Sequence, residues 1–191
     1  MEEPGSAAAR LPGMAAQGHA DGLVDGHGDG PGPPGPDARA LLLDQTRHLY
    51  GWAGRAVADV DAADALATPT GGPSVAWQLG HLLRDAETTA EAVAGLAPTE
   101  PERGDADHWG VGCADDWDAL RARWAARSDA CLSALAGEPD LEAPPRVALH
   151  ADFAGHLTTR RAFWSGHVVH LACHLGQVGS LRARLGLWWW R

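Results

Sequence analysis

Residues 160–186 read RRAFWSGHVVHLACHLGQVGSLRARLG. Thr158 or Thr159 can cap the start and Gly186 stops the end, so the run is expected to form one long helix. Its inward face departs from an ordinary amphipathic pattern. Core-facing positions should be apolar, yet His170 and His174 stand four apart, about 40° from each other around the axis and one turn along it. Both imidazoles then project from one face, the arrangement by which an i, i+4 pair binds one metal ion. His167 lies three before His170 and Gln177 three after His174, which extends the stripe in both directions. Imidazoles in a helix seam cost free energy unless each finds a partner, and a metal ion supplies one partner for several rings at once. The spacing alone fits ordinary core or surface histidines as well.

Outward from this helix, the rest of the chain reads as helical too. Pro69 and Gly71-Gly72-Pro73 break the chain, and Ser74 is a good N-cap for a helix that ends near Gly95. Leu41, Leu42, Gln45, Leu49, Trp52, Ala53, Ala56 and Val60 recur at helical spacing and predict a first amphipathic helix over 38–60. Asp115-Asp116 opens a further helix through Trp117, Leu120, Trp124, Ala130 and Leu135, stopped by Gly137 and Pro139. The segment 138–157 holds two adjacent prolines and reads as a long loop. No strand run and no internal repeat is evident. The expectation is an all-α four-helix bundle, with connections too long to guarantee simple up-and-down order.

A metal site needs more than two ligands, and His81 in Gly80-His81-Leu82 is the best third candidate. Three neutral histidines on zinc leave a coordination position open for water or substrate, which is a catalytic rather than a closed structural arrangement. Nickel or iron would suit imidazole as well.

Residues 1–36 differ in texture: they are rich in Gly, Pro and Ala, lack any aromatic residue, and are expected to be a disordered tail carrying His19 and His27. The internal Met14 is an alternative start. The bundle domain is then 37–191. The whole chain has 191 residues, 45% of them hydrophobic, and a formal net charge of -10. That acidic balance argues against general binding to nucleic acid or anionic membrane. Cys113, Cys131 and Cys173 make an odd set without paired spacing, so no disulfide framework is expected. No basic-then-apolar leader and no long apolar run is seen, which points to a cytoplasmic protein without membrane contact.

Three segments together resemble the DinB/YfiT-like superfamily: PSVAWQLGHL at 73–82, HVVHLACHLGQ at 167–177 and LRARLG at 181–186. Members place a Gly-His-Leu histidine in the second helix and an H-x3-H-x-G-Q run followed by L-R-x2-L-G in the last. The resemblance covers about residues 38–187. It implies a four-helix bundle with a long crossover and a divalent metal, often zinc or nickel, held by His81, His170 and His174. Characterised relatives include thiol S-transferases using bacillithiol or mycothiol, a mycothiol-dependent maleylpyruvate isomerase, and proteins assigned as metal hydrolases. All 15 basic residues here are Arg, and Lys, Ile and Asn are absent. Such usage points to a high-GC, actinobacterial genome, for which mycothiol is the matching thiol.

The resulting expectation is a metal-dependent thiol S-transferase or isomerase acting on a small electrophile, with Gln177 and His167 as the catalytic residues that position the reactants. Hydrolysis by activated water is one alternative, and a non-catalytic metal- or small-molecule-binding stress protein is another. Asp85, four after His81, reads as a solvated carboxylate or as a partner that orients an imidazole. Trp77 reads as core or pocket wall, and Cys173, beside His174, as a buried small hydrophobe or else a reactive thiol. Arg182 and Arg184 read as cations suited to a helix C-terminus or to an anionic thiol. His48, His108, His150 and His156 have no motif context. Trp188-Trp189-Trp190 is too apolar for water and is expected to fold back or to sit in a homodimer contact.

Overall fold

The computed structural model describes residues 37–69, 71–99, 117–147 and 155–188. The expected tail with His19 and His27, the Asp115-Asp116 helix start, Cys113, His108, His150, Trp189 and Trp190 lie outside the described residues. Within them the chain is an all-α bundle of five helices without a strand: α1 (Ala38–Val57), α2 (Ala62–Leu66), α3 (Val75–Ala94), α4 (Trp117–Ala136) and α5 (Arg160–Arg184).

The caps explain where the helices that matter most begin and end. Ser74 Oγ accepts from the Trp77 N–H at 3.1 Å, and Thr159 Oγ1 accepts from the Ala162 N–H at 3.1 Å. Each satisfies a donor that the first turn leaves without a partner. At the other ends Gly95 and Gly186 adopt φ of 74° and 75°, left-handed conformations that a side chain would strain. After Gly186 the Leu187 N–H closes the helix end on the Arg182 carbonyl at 2.8 Å, and Trp188, expected to fold back or to sit in a dimer contact, stands 68% exposed. The short α2 was not expected from the sequence. Asp61 starts it by accepting from the Asp64 N–H at 2.8 Å, and it buries Ala65. The first helix consequently stops at Val57, before the expected Val60.

Helix α1 packs on α4 and α5, and α3 packs on the same two, so α1 faces α3 and α4 faces α5 across diagonals. Both the α1–α3 link and the α4–α5 link therefore cross the bundle. Tyr50, Leu79, Leu82, Leu83, Trp117, Trp124 and Leu171 fill the main core, and Leu42, Val93, Leu135 and Trp164 a second cluster. Each fully buried leucine contributes about 2 kcal/mol of apolar transfer. The inward face of α1 differs from expectation. Leu41 and Trp52 remain 48% and 42% exposed, and Thr46 and Tyr50 turn inward instead. Thr46 can do so because its hydroxyl is satisfied twice, donating to the Leu42 carbonyl at 2.7 Å and accepting from Trp164 Nε1 at 2.8 Å.

Two ionic ties, each with one buried partner, brace these connections. Glu138 accepts from Arg146 Nη2 at 2.8 Å, Arg160 Nη1 at 2.9 Å and the Asp140 N–H at 2.9 Å, which holds the α4–α5 loop against the start of α5. Arg182 of α5 donates to both oxygens of Asp59, at 2.7 and 3.1 Å, and to the Ala56 carbonyl at 2.7 Å. The guanidinium that the sequence suggested for an anionic thiol is thus buried and joins α5 to the end of α1. Among the described residues no helix is long and apolar enough to cross a membrane.

Candidate metal centre

Helix α3 carries Gln78, His81 and Asp85 at spacings of three and four, the period that lines up one helix face. Helix α5 runs antiparallel to it with His167, His170, His174 and Gln177 on the facing side. Gln78 meets His174 and Gln177, His81 meets His170 and His174, and Asp85 meets His167 and His170.

At the middle of this seam three half-buried imidazoles converge. His81, His170 and His174 each offer one ring nitrogen, and these atoms all lie within 4.8 Å of one another. His81 Nε2 and His170 Nε2 are 3.1 Å apart. Two ring nitrogens held so close need a proton or a cation between them. The separation is also near the ~3.3 Å edge of a tetrahedron with zinc–nitrogen bonds of ~2.0–2.1 Å. The donor set therefore fits a divalent ion of the kind that imidazole prefers. Trp77 stacks flat on His81, with centroids 4.9 Å apart and planes 11° from parallel.

Charge state agrees with that chemistry at two of the three rings. Burial lowers the pKa of His81, and the neighbouring His170 lowers it further. Burial, then His170 and His81, push His174 down to about 4. Both rings are neutral at pH 7, as a metal ligand must be. His170 is raised instead, chiefly by its hydrogen bond to Asp85. Burial works against the Asp85 carboxylate, but the adjoining His167 and His170 outweigh it and hold the group well below the usual carboxylate range.

Behind the centre the hydrogen bonds form two chains. Gln78 Nε2 donates to Gln177 Oε1 at 2.8 Å. Its Oε1 therefore faces His174 Nδ1, 2.6 Å away, and accepts from it. Asp85 Oδ2 lies 2.5 Å from His167 Nδ1 and 2.9 Å from His170 Nδ1. A carboxylate only accepts, so both rings donate from Nδ1. His167 Nε2 is then left to accept from the Tyr50 hydroxyl at 2.9 Å. That phenol stays protonated, since burial, then Cys131 and Asp85, raise it well above its ordinary pKa.

The structure thus brings His81, His170 and His174 together and sets Gln177, which is exposed, beside them through Gln78. His167 is 3% exposed with both ring nitrogens engaged. Cys173 is exposed, not buried as expected, because it falls on the outer face of α5. His48 and His156 are exposed and stand apart from this cluster. Sequence reasoning passed over Gln78 and Tyr50 and underweighted Asp85. The α3 spacing Gln78-x2-His81-x3-Asp85, set against apolar neighbours, was the available signal; the single Tyr50 offered none.

Fold and site together define a helical bundle with a candidate three-histidine centre shared between two antiparallel helices. The family model of the DinB superfamily matches residues 42–178, and the chain belongs to that superfamily. Searches of curated proteins and of solved structures find no significant match.

Proposed function

We propose that the chain holds a divalent metal ion through His81, His170 and His174 and works as a metal-dependent enzyme with a low-molecular-weight thiol. In this reading it is a mycothiol-type S-transferase or isomerase acting on a small electrophile. The convergence of three ring nitrogens from α3 and α5 within 4.8 Å is the observation that carries it. Zinc or nickel bound there would lower the pKa of a coordinated thiol and make its thiolate available at neutral pH. Three protein ligands leave room for an incoming group. Trp77, stacked over His81, supplies an apolar wall beside it. Gln177 has its carbonyl engaged by Gln78, which leaves the amide NH2 to orient a substrate oxygen. His167 acts from the buried side through Asp85.

Elemental analysis of wild type against His170→Ala is the first test, with about one ion per chain expected and lost in the variant. Equal metal content in both would overturn the centre. The second test is conjugation of a bimane electrophile to mycothiol, bacillithiol and glutathione, with and without metal. Metal-dependent conjugation supports the thiol reading. Metal retention with ester or amide hydrolysis, or with no turnover at all, replaces it by a hydrolase or by a non-catalytic metal-binding protein.

A further inference from the structure

An imidazole can bind a metal through either ring nitrogen, and the partner of the other nitrogen decides which one is free. In this seam the two α5 histidines of the centre have such a partner, and both partners come from α3. They flank His81, Gln78 three residues before it and Asp85 four after. We propose that Gln78 and Asp85 are positioning residues. Gln78 fixes His174, and Asp85 fixes His170, with the proton on Nδ1, so that both rings present Nε2 to the ion. Tyr50 and His167 brace Asp85 from the buried side. The proposal rests on the metal reading above and assigns what the rest of the seam does for it.

The geometry separates bracing from proton transport. The chain Asp85–His167–Tyr50 leads inward: His167 and Tyr50 are each 3% exposed, and the Tyr50 ring packs edge-on against Trp124 with centroids 5.3 Å apart. A relay serving a reaction would end at water or substrate. This one ends in the core, where it can only hold the carboxylate in place. His81 is fixed by a different means, the stacked indole of Trp77. One helix therefore supplies a ligand together with the anchors for the other two, and a shift of α3 along α5 would misplace all three at once.

The test combines zinc affinity, measured by competition with a chromophoric chelator, with imidazole nitrogen-15 shifts of the metal-free protein. In alkaline buffer, where both rings are neutral, wild type should show His170 and His174 as Nδ1–H tautomers. Asp85→Asn and Gln78→Met should each raise the zinc dissociation constant about 10–100-fold while the circular dichroism stays helical. Each variant should also release the tautomer of its own ring, His170 or His174, and not of the other. Should Asp85→Asn fail to fold, Gln78→Met and the wild-type spectrum still decide. An Nε2–H tautomer at either ring in wild type, or variant affinities within twofold of wild type, would overturn the positioning role. A wild type that takes up no zinc would overturn the metal reading instead, and the metal-free spectrum keeps the two failures apart.

Discussion

Trp164 of α5 donates its indole N–H to the Thr46 hydroxyl of α1 at 2.8 Å, and both side chains are 0% exposed. No water can replace that partner. Thr46→Val keeps the shape and removes the acceptor, leaving a buried donor unmade at a cost of about 2 kcal/mol. Thr46→Ser should recover most of it. Urea unfolding followed by tryptophan fluorescence checks this, and a Thr46→Val midpoint equal to wild type would contradict it.

Glu138 makes stability depend on acid. Burial disfavours its charge, but the hydrogen bonds from Arg146 and the Asp140 N–H and the charge of Arg160 outweigh burial, so its pKa is lowered. A carboxylate with a depressed folded pKa contributes stability that is fully present above its unfolded pKa, about 4.3. That contribution is lost as pH falls through the folded value. Glu138→Gln should therefore cost about 3 kcal/mol at neutral pH, and the gap to wild type should close as pH falls below about 4.3. Denaturant titrations across that window measure it; a constant gap would refute it.

Gly95 ends α3 at φ 74°, and a Cβ there would lie 3.2 Å from Arg146 Cδ. The same Arg146 holds Glu138 and donates to the Val93 carbonyl at 3.2 Å. Gly95→Ala should cost about 1–2 kcal/mol from the left-handed conformation and also disturb the loop clamp. A lowered melting temperature with unchanged metal content is the expected result.

The two described cysteines should differ sharply in reactivity. Cys131 is 0% exposed, and burial pushes its thiol up to about 12. Cys173 is exposed. Brief alkylation of the native protein should label Cys173 and spare Cys131 until denaturant is added, as read by peptide mass mapping.

What could be read from sequence follows from what is local. Ser74, Thr159, Gly95 and Gly186 act within a turn of where they stand, so the ends of α3 and α5 were legible. His81, His170 and His174 were legible because helical spacing puts ligands on one face. The inner face of α1 was not, since Thr46 is admitted to the core only by an indole 118 positions away. Gln78 and Tyr50 escaped, and Asp85 stayed open between a solvated carboxylate and an orienting partner, for the same reason: each gains its meaning from a partner on α5, and no run of neighbouring residues records that α3 and α5 meet in this register.

That register has a thermodynamic consequence. His81 and His170 are 89 positions apart, and the intervening chain includes all of α4 and both of its flanking connections. The proposed ion would thus be a reversible cross-link between distant segments, present only while the bundle is folded. Free ion at a hundred times its dissociation constant would add about 2.7 kcal/mol to unfolding. The melting temperature then becomes a gauge of occupancy, falling when a chelator strips the centre and rising again with the concentration of ion returned.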